Sequence, residues 1–495
     1  RDNSYLGRND TNGRDETTLR GRLRWLPSDT LSVDFAALFA DVDNGYDAFA
    51  IDNSLTMLSD KPGRDTQESL GGSLRIEWSA LSWATLTSIT AVADSDIDFD
   101  FDADWGNDDS WAPVTYDFVS LSNRSRRTVS QELRFASSEE GRIFGGTTDW
   151  LAGLYLLQLE DDLVTTNRGD YFDPGFDFAD SLDDTFGSRY EATNVALFGQ
   201  LDHELGAATR LSFGLRVERR STDYSDTAGL SASPSETMSG GDITLSHDHS
   251  DELTSFLSLS RGYKAGGFNL GVVPDDRREF DAESMWNFEV GIKSSFLDGA
   301  AALNLSAFYS RRDDQQVRTS FQLDPGDPAS FVFFTDNAAQ GRTLGLEAEL
   351  RWAIGDTLDL YANVGLLDAE FEDFVTPQVD LGGRAQAHAP DYTFAAGASY
   401  RHPSGVFARL DVNARDAFYF DVSHDQESQP YELANARLGY KADTWSIQLW
   451  ARNLFDRYYA VRGFYFGNEP PDFPNKLYTR AGDPRQLGVT FDLSF

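Results

Sequence analysis

The chain has 495 residues, no cysteine and a formal net charge of -39, because 81 acidic residues outnumber 42 basic ones. This excess of carboxylates argues against a nucleic-acid-binding protein, since phosphate recognition depends on clustered Lys and Arg. Mean hydropathy is -0.43, and no run of about 18 apolar residues occurs, so the sequence also excludes membrane-spanning helices.

Alternation of apolar and polar residues with period two recurs from end to end. Clear examples, in chain order, are residues 211–217, 303–309, 358–366 and 445–451. In each segment one face is apolar and the other is polar or charged. A tilted strand of roughly ten residues is long enough to cross a bilayer. The pattern predicts antiparallel β-strands throughout.

The connections between these segments alternate in length. Short turns fall at residues 27–29, 80–81, 206–207, 297–299, 355–356, 402–405 and 441–443, whereas long polar and aromatic connections cover 44–68, 102–123, 161–188, 266–281, 312–335 and 459–480. Bacterial outer-membrane barrels have this asymmetry, with tight periplasmic turns and long extracellular loops. The sequence therefore predicts an all-β fold, a transmembrane antiparallel β-barrel.

About nineteen strands can be counted, from one over residues 18–25 to a last one that ends at Phe495. An odd count, together with the alternation of turns and loops, places Phe495 in the periplasm and Arg1 in an extracellular loop. We therefore expect an odd number of leading strands to be missing.

Several segments carry a more specific signal. They are SRGYKAGGFN from Ser260, FDAESMWNFEVGIKSSF from Phe280, LNLSAFYS from Leu303, ARNLFDRYY from Ala451 and the closing GDPRQLGVTFDLSF from Gly482. In this succession the chain resembles the barrel of TonB-dependent outer-membrane receptors of the iron-complex, or siderophore, type.

The resemblance implies a barrel of about 22 strands whose lumen is filled by an N-terminal plug. Residues 1–495 would then be an N-terminally incomplete barrel domain that lacks the plug and about three leading strands. It further implies active uptake across the outer membrane of a Gram-negative bacterium. The expected partners are the inner-membrane TonB complex, acting through the missing N-terminus, lipopolysaccharide and outer-membrane lipid, and a small-molecule solute. We expect a monomer in which Phe495 resembles the terminal assembly signal.

The strand motif from Ser260 can be interpreted in two ways. Arg261, Tyr263 and Lys264 could contact solute or plug, or the motif could be a structural rim in which Gly266 and Gly267 permit a turn. Alternation places Arg261 and Tyr263 on the same face as the apolar strand residues before them, so we favour the structural interpretation.

The long loops mix aromatic side chains with carboxylates. Candidate ligand-binding residues in them, together with the few basic ones, are Trp105, Trp111, Tyr171, Phe172, Arg318, Phe333, Phe334, Arg462 and Tyr465. Carboxylate clusters such as residues 102–109 also supply the oxygen ligands that Ca²⁺ prefers, although they lack an EF-hand's spacing. A structural calcium ion is thus a weaker expectation than a solvated acidic surface, and no other metal or cofactor is expected.

The sequence favours a TonB-dependent importer, most simply of a ferric siderophore or other iron complex. Acidic loops weaken that choice of substrate, because many siderophores are anionic. Cobalamin, an oligosaccharide or an aromatic compound stays open, as do a passive porin and a surface-binding barrel. Six scattered histidines, no cysteine and no phosphate-binding loop give an enzyme no basis.

Overall fold

The computed structural model describes residues 1–271, 273–322, 331–375 and 380–494. One antiparallel sheet of long strands curls into a barrel wall. Its nineteen strands are β1 Glu16–Ser28, β2 Leu31–Tyr46, β3 Gly63–Trp78, β4 Ala84–Asp102, β5 Thr115–Ser137, β6 Thr148–Asp173, β7 Phe178–Gly206, β8 Thr209–Asp226, β9 Ser235–Ser250, β10 Leu253–Lys264, β11 Glu283–Phe296, β12 Ala301–Gln322, β13 Phe331–Ile354, β14 Leu358–Asp373, β15 Tyr392–Arg401, β16 Val406–Arg415, β17 Tyr431–Lys441, β18 Trp445–Arg452 and β19 Gln486–Leu493. The strand count confirms the prediction from the sequence.

Each strand pairs with the next one along the chain, so the sheet is a simple up-and-down array. Within the described residues, β1 pairs only with β2 and β19 only with β18. The outer edges of the first and last strands therefore have no hydrogen-bonded neighbour.

The barrel wall has an apolar outer face and a charged inner face. On β8, Phe213, Leu215 and Val217 are exposed apolar residues on one face, whereas Arg216 and Glu218 alternate with them on the other. In a lipid bilayer this arrangement pairs every backbone group along the ladder and turns the apolar side chains towards the hydrocarbon. The predicted alternation is confirmed.

Ion pairs between residues two apart recur on the inner face, because side chains at i and i+2 of a strand point the same way. Arg216 lies 2.6 Å from Glu218, and Arg409 lies 2.8 Å from Asp411. Glu218 is buried and also accepts a hydrogen bond from the Tyr263 hydroxyl at 2.9 Å. These pairs keep the luminal wall polar without leaving buried charge unmatched.

One end of the barrel has short turns, and the other carries the long connections. At the end with short turns, Trp83 stacks between Phe135 and Trp150, with its ring centroid 6.1 and 6.0 Å from theirs, as aromatic residues do at a membrane interface. At the other end, the prediction that residues 161–188 and 312–335 form loops throughout was wrong. β6 and β7 stay paired as far as Asp173 and Phe178, and β12 and β13 likewise project as a paired hairpin.

The remaining loops build small structures of their own. Short strand pairs join Asp2–Asn3 to Thr56–Met57, Gly267–Phe268 to Glu279–Phe280, and Ala460–Gly467 to Asn475–Ala481; a four-residue helix spans Asp108–Trp111. No helix in the described part of the chain is long and apolar enough to cross a membrane. Phe495, the expected assembly signal, lies outside the described residues.

The two faces of the wall predict opposite responses to the same substitution. Ile243 faces outward between Phe213 and Leu259, whereas its neighbour Thr244 faces inward and bonds to Ser258 at 2.9 Å. We expect Ile243→Arg to destabilise the barrel by about 2–4 kcal/mol, the cost of an arginine deep in the bilayer, and Thr244→Arg to have a much smaller effect. Heat-modifiable mobility of the barrel in outer-membrane extracts measures the folded fraction. Equal loss in both variants would contradict the assignment of faces.

Candidate ligand-binding face at the loop end

The last long connection of the chain forms a hairpin from Ala460–Gly467 and Asn475–Ala481, which we call the final hairpin. In its register Phe464 lies opposite Tyr478, and Arg462 lies opposite Arg480. Opposed residues of an antiparallel pair project to the same side. The hairpin thus presents one face of aromatic and cationic side chains, and Tyr478 at its centre is fully buried.

Trp105, from the connection between β4 and β5, packs against that face. Its ring stacks on Phe49 at 4.8 Å and meets Phe466 and Tyr478 edge-on at 5.6 and 5.2 Å. Phe49 also lies 5.3 Å from Phe464. These five rings, from three separate connections, form what we call the aromatic face.

The backbone of Trp105 has a φ of 59°, which an L-residue rarely adopts. That conformation costs roughly 1–2 kcal/mol and must be offset by its surroundings. Asp104, which is buried, offsets it through three hydrogen bonds to its carboxylate, from the Gly106 amide at 2.9 Å, the Trp111 indole at 3.0 Å and the Phe118 amide at 2.9 Å. This loop is therefore built to hold Trp105 in place.

A second buried acid, Asp102, caps the same turn. One of its carboxylate oxygens accepts a hydrogen bond from the Trp105 amide at 3.0 Å, while the other is buried without a partner. Burial, and next the charge of Asp104, raise the pKa of Asp102 well above its usual range. When Asp102 is protonated, this buried turn holds only one negative charge, that of Asp104, instead of two.

Contacts between distant parts of the chain fix the final hairpin to the first long connection. The Asn53 side chain donates to the Leu477 carbonyl at 2.9 Å, across 424 positions of sequence, and accepts from the Thr479 amide at 2.6 Å. Lys476 donates to the Ile51 carbonyl at 2.7 Å. The connection after β2 and the connection before β19 thus meet at the aromatic face.

Cations surround the aromatic face. The Arg462 guanidinium lies 4.8 Å from the Phe464 ring centre, and that of Arg480 lies 5.8 Å from Tyr46. His388 packs on Phe418 at 5.1 Å. Burial, and next the charge of Arg462, lower the pKa of His388, so the imidazole favours its neutral form. Phe49 and Tyr478 are buried within the cluster, whereas Trp105, Phe464 and Phe466 stay partly exposed. Partly exposed rings edged by positive charge can bind an aromatic or chelated group with anionic substituents.

Not every residue expected from the sequence contributes to this face. Trp105 is at its centre and Arg462 at its edge. Trp111 is buried behind it, Tyr171 contacts Phe473 at 6.0 Å beside it, and Tyr465 projects from the hairpin's other side towards His424. Phe172 is exposed on the β6–β7 hairpin. Arg318, Phe333 and Phe334 lie on the separate β12–β13 hairpin, where Arg318 is 5.9 Å from the Phe333 ring and Arg277 is 6.0 Å from that of Phe334.

The sequence alone missed Phe49, Phe464, Phe466, Tyr478 and Arg480. Phe49 belongs to a short apolar run, AFAI, inside an otherwise polar connection, and such a run could have identified a buried loop segment. Tyr478 and Arg480 alternate along KLYTR, which is a strand signal within a predicted loop. Neither signal shows which other loop the residues contact.

The strand motif from Ser260 has a mainly structural environment. Arg261 donates to the Ser239 carbonyl, and added β-carbons at Gly266 and Gly267 would come within 2.6 Å of Phe280 atoms, so both glycines permit close approach. Lys264 is exposed at the end of β10.

The predicted outward placement of Tyr263 was wrong. Pairing between β9 and β10 ends at Gly241 opposite Arg261, and the Tyr263 ring then crosses Gly240, which has no side chain to block it. Its hydroxyl reaches Glu218 on the inner face.

The acidic loops show no preformed metal centre in the described ranges, where no three His, Asp or Glu side chains come together to hold an ion. The calcium site stays a prediction. Where ion pairs form, as between Arg64 and Asp100 at 2.9 Å, arginine rather than a metal ion neutralises the carboxylate.

A family model described as TonB dependent receptor-like, beta-barrel, matches residues 1–454. The chain belongs to this family. TonB-dependent receptor barrels are outer-membrane proteins of Gram-negative bacteria and are not enzymes, so the expected location and the exclusion of catalysis are confirmed.

Individual relatives are distant. The metal-pseudopaline receptor CntO of Pseudomonas aeruginosa is 22% identical over 270 residues, covering 51% of this chain and 33% of the relative. The ferric-pyoverdine M114 receptor PbuA of Pseudomonas sp. strain M114 is 26% identical over 258 residues, covering 50% of this chain and 28% of the relative. Each alignment thus spans less than half of the relative. The ferric yersiniabactin uptake receptor FyuA from Yersinia pestis superposes with a TM-score of 0.81 at 19% identity, covering 100% of this chain and 73% of that one, which shows the shared barrel fold.

The raised pKa of Asp102 predicts a pH-dependent loop. Because the folded loop binds this proton more tightly than the unfolded loop, the stabilisation is complete below the unfolded pKa of about 3.9 and declines as pH rises through the higher folded value. Asp104 and Asp60 contribute to the same shift. We expect hydrogen-exchange protection of the Trp105 amide, corrected for intrinsic rates, to fall across that range.

Asp102→Asn should remove most of this pH dependence, because the replacement is nearly isosteric and cannot ionise. Asp109→Asn, an exposed neighbour, is the matched control and should leave the pH profile unchanged. An unaltered profile in Asp102→Asn would show that another group is responsible.

Proposed function

We infer that this barrel belongs to an importer that captures a metal chelate, a ferric siderophore or another metal complex, at its loop end. The observation that supports the inference is the aromatic face with its adjoining arginines at the mouth of the barrel. CntO and PbuA, by their names, are receptors for a metal-pseudopaline and a ferric-pyoverdine complex. The distant sequence relationship makes the substrate class a proposal.

The chemistry of the face suits such a ligand. Chelates that wrap a metal are bulky, partly flat and partly apolar, and stacked rings bind such surfaces with little loss of conformational entropy. Polar groups at the edge can then fix orientation. Trp105 is held by Asp102 and Asp104 before any ligand arrives, so little of the binding free energy is lost in ordering the loop.

A plug and TonB complete the proposed importer. A barrel of this width would be an open hole without a filling domain. We propose that a plug and the leading strands precede Arg1 in the full-length protein, that the strands fill the space between the unpaired edges of β1 and β19, and that the TonB complex acts on the plug. A mass and N-terminal peptide map of the protein from its own outer membrane tests this. A mature chain that starts near Arg1 would overturn it.

The centre of the aromatic face should dominate binding. We expect Trp105→Ala to weaken binding of radiolabelled ferric chelates to cells by roughly tenfold or more, because aromatic anchors in buried clusters contribute most of the binding energy. Phe176→Ala, which removes an 82% exposed ring from the tip of the β6–β7 hairpin, should change binding less than twofold, roughly the effect of an exposed contact. Equal effects of the two substitutions on every chelate offered would place the binding site elsewhere.

A further inference from the structure

Two arginines face each other in the final hairpin. Arg462 lies directly opposite Arg480 in the strand register, which places their side chains on one face within reach of each other. Like charges in directly opposed positions destabilise an antiparallel pair. The arrangement is therefore unfavourable unless something else stabilises it.

Neither arginine is neutralised by the protein. In the described part of the chain no carboxylate oxygen lies within 4.0 Å of a side-chain nitrogen of Arg462 or Arg480. Some other loop arginines are paired: Arg278 lies 2.9 Å from Asp226, and Arg64 lies 2.9 Å from Asp100. The chain has a net charge of -39, so carboxylates are abundant, yet these two opposed guanidinium groups have no carboxylate partner among the described residues.

Aromatic rings position the two charges instead. Arg462 lies over Phe464 and Arg480 over Tyr46, at 4.8 and 5.8 Å. Tyr46 is the last residue of β2. Its side chain lies on the same face of the strand as Asp34 and Asn44, whereas Phe35 lies on the outward face. Tyr46 therefore points to the lumen rather than to lipid.

More positive charge lies nearby. Arg415 lies 5.8 Å from the Phe418 ring, on which His388 also packs, and it too has no carboxylate partner among the described residues. The charges of Arg462 and Arg415 both act on His388, with Asp421 opposing them. The mouth of this acidic barrel thus contains a local basic patch beside the aromatic face.

We propose that Arg462 and Arg480 bind an anionic group of the transported chelate, so that the substrate is a metal complex with carboxylate or phenolate oxygens and a net negative charge. This rests on the proposed function. Two guanidinium groups on one strand pair can donate hydrogen bonds to such oxygens in parallel, and their mutual repulsion is relieved when the anion binds. Because the pair faces the lumen, lipopolysaccharide phosphate is not the ligand we assign to it.

The test is equilibrium dialysis of full-length protein from the outer membrane against two gallium(III) chelates, one an anionic tris-catecholate and one a neutral tris-hydroxamate. Arg462→Gln and Arg480→Gln should each raise the Kd of the anionic chelate roughly tenfold and leave that of the neutral one unchanged. Higher salt should reduce the difference between wild type and variants. Arg168→Gln is the matched control, because Arg168 pairs with Asp183 at 3.3 Å on the exposed β6–β7 hairpin.

A second measurement separates binding from misfolding. Since each substitution removes a like-charge repulsion, hydrogen-exchange protection of the final hairpin should be equal to or higher than that of the wild type. An unchanged affinity for the anionic chelate, or preferential binding of the neutral chelate by wild type, would overturn the anion site and leave the importer proposal standing. Failure of the wild type to bind either chelate would count against both.

Discussion

Backbone hydrogen bonding in lipid is the constraint on which the rest of this structure depends. Hydrocarbon offers no partner to an amide or a carbonyl, so the part of the chain that crosses the membrane must pair every such group internally. Nineteen consecutive antiparallel strands do so with their neighbours in sequence, except at the outer edges of β1 and β19, which have no hydrogen-bonded neighbour among the described residues. The oily outer face, the charged inner face, the tight turns at one end and the long connections at the other all follow from that requirement.

Outside the membrane the constraint is relaxed, and different interactions hold the chain. Asp104 fixes its turn through three hydrogen bonds, and Asn53 joins two connections that lie 424 positions apart. These buried polar groups place Trp105 and Phe49, which lie in irregular segments, against Tyr478 of the final hairpin. The loop end is thus a preorganised surface on a rigid wall, which is what a receptor requires to bind a large solute selectively.

Electrostatics distinguish that surface from its surroundings. The protein as a whole is strongly acidic, and most loop carboxylates meet arginine or solvent. Around the final hairpin, Arg462, Arg480 and Arg415 have no carboxylate partner within the described residues, although Lys476 pairs there with Glu469. Local charge therefore says more about the ligand than net charge does. Composition argues against an anionic ligand, whereas the arrangement of these three residues supports our proposal of one.

The strands could be read from the sequence because period-two alternation is a local signal, and it located segments such as residues 211–217 and 445–451 correctly. The loop end could not be read in the same way. Trp105 and Arg462 were identified as candidates by residue type, but their relation to Phe49 and Arg480 depends on contacts across more than one loop, which no local pattern encodes. Tyr263 shows the same limit. Its ring can turn towards Glu218 only because Gly240, on the neighbouring strand β9, has no side chain.

Energy-coupled uptake tests the central claim most directly. Cells that express the full-length protein would be supplied with a radiolabelled anionic ferric chelate, with the inner-membrane TonB complex either intact or deleted, and internal iron would be measured over time. We predict accumulation against the concentration gradient only when the complex is intact, with surface binding retained in its absence. Equal accumulation in both strains, rising linearly with external concentration, would contradict this account and identify a passive channel.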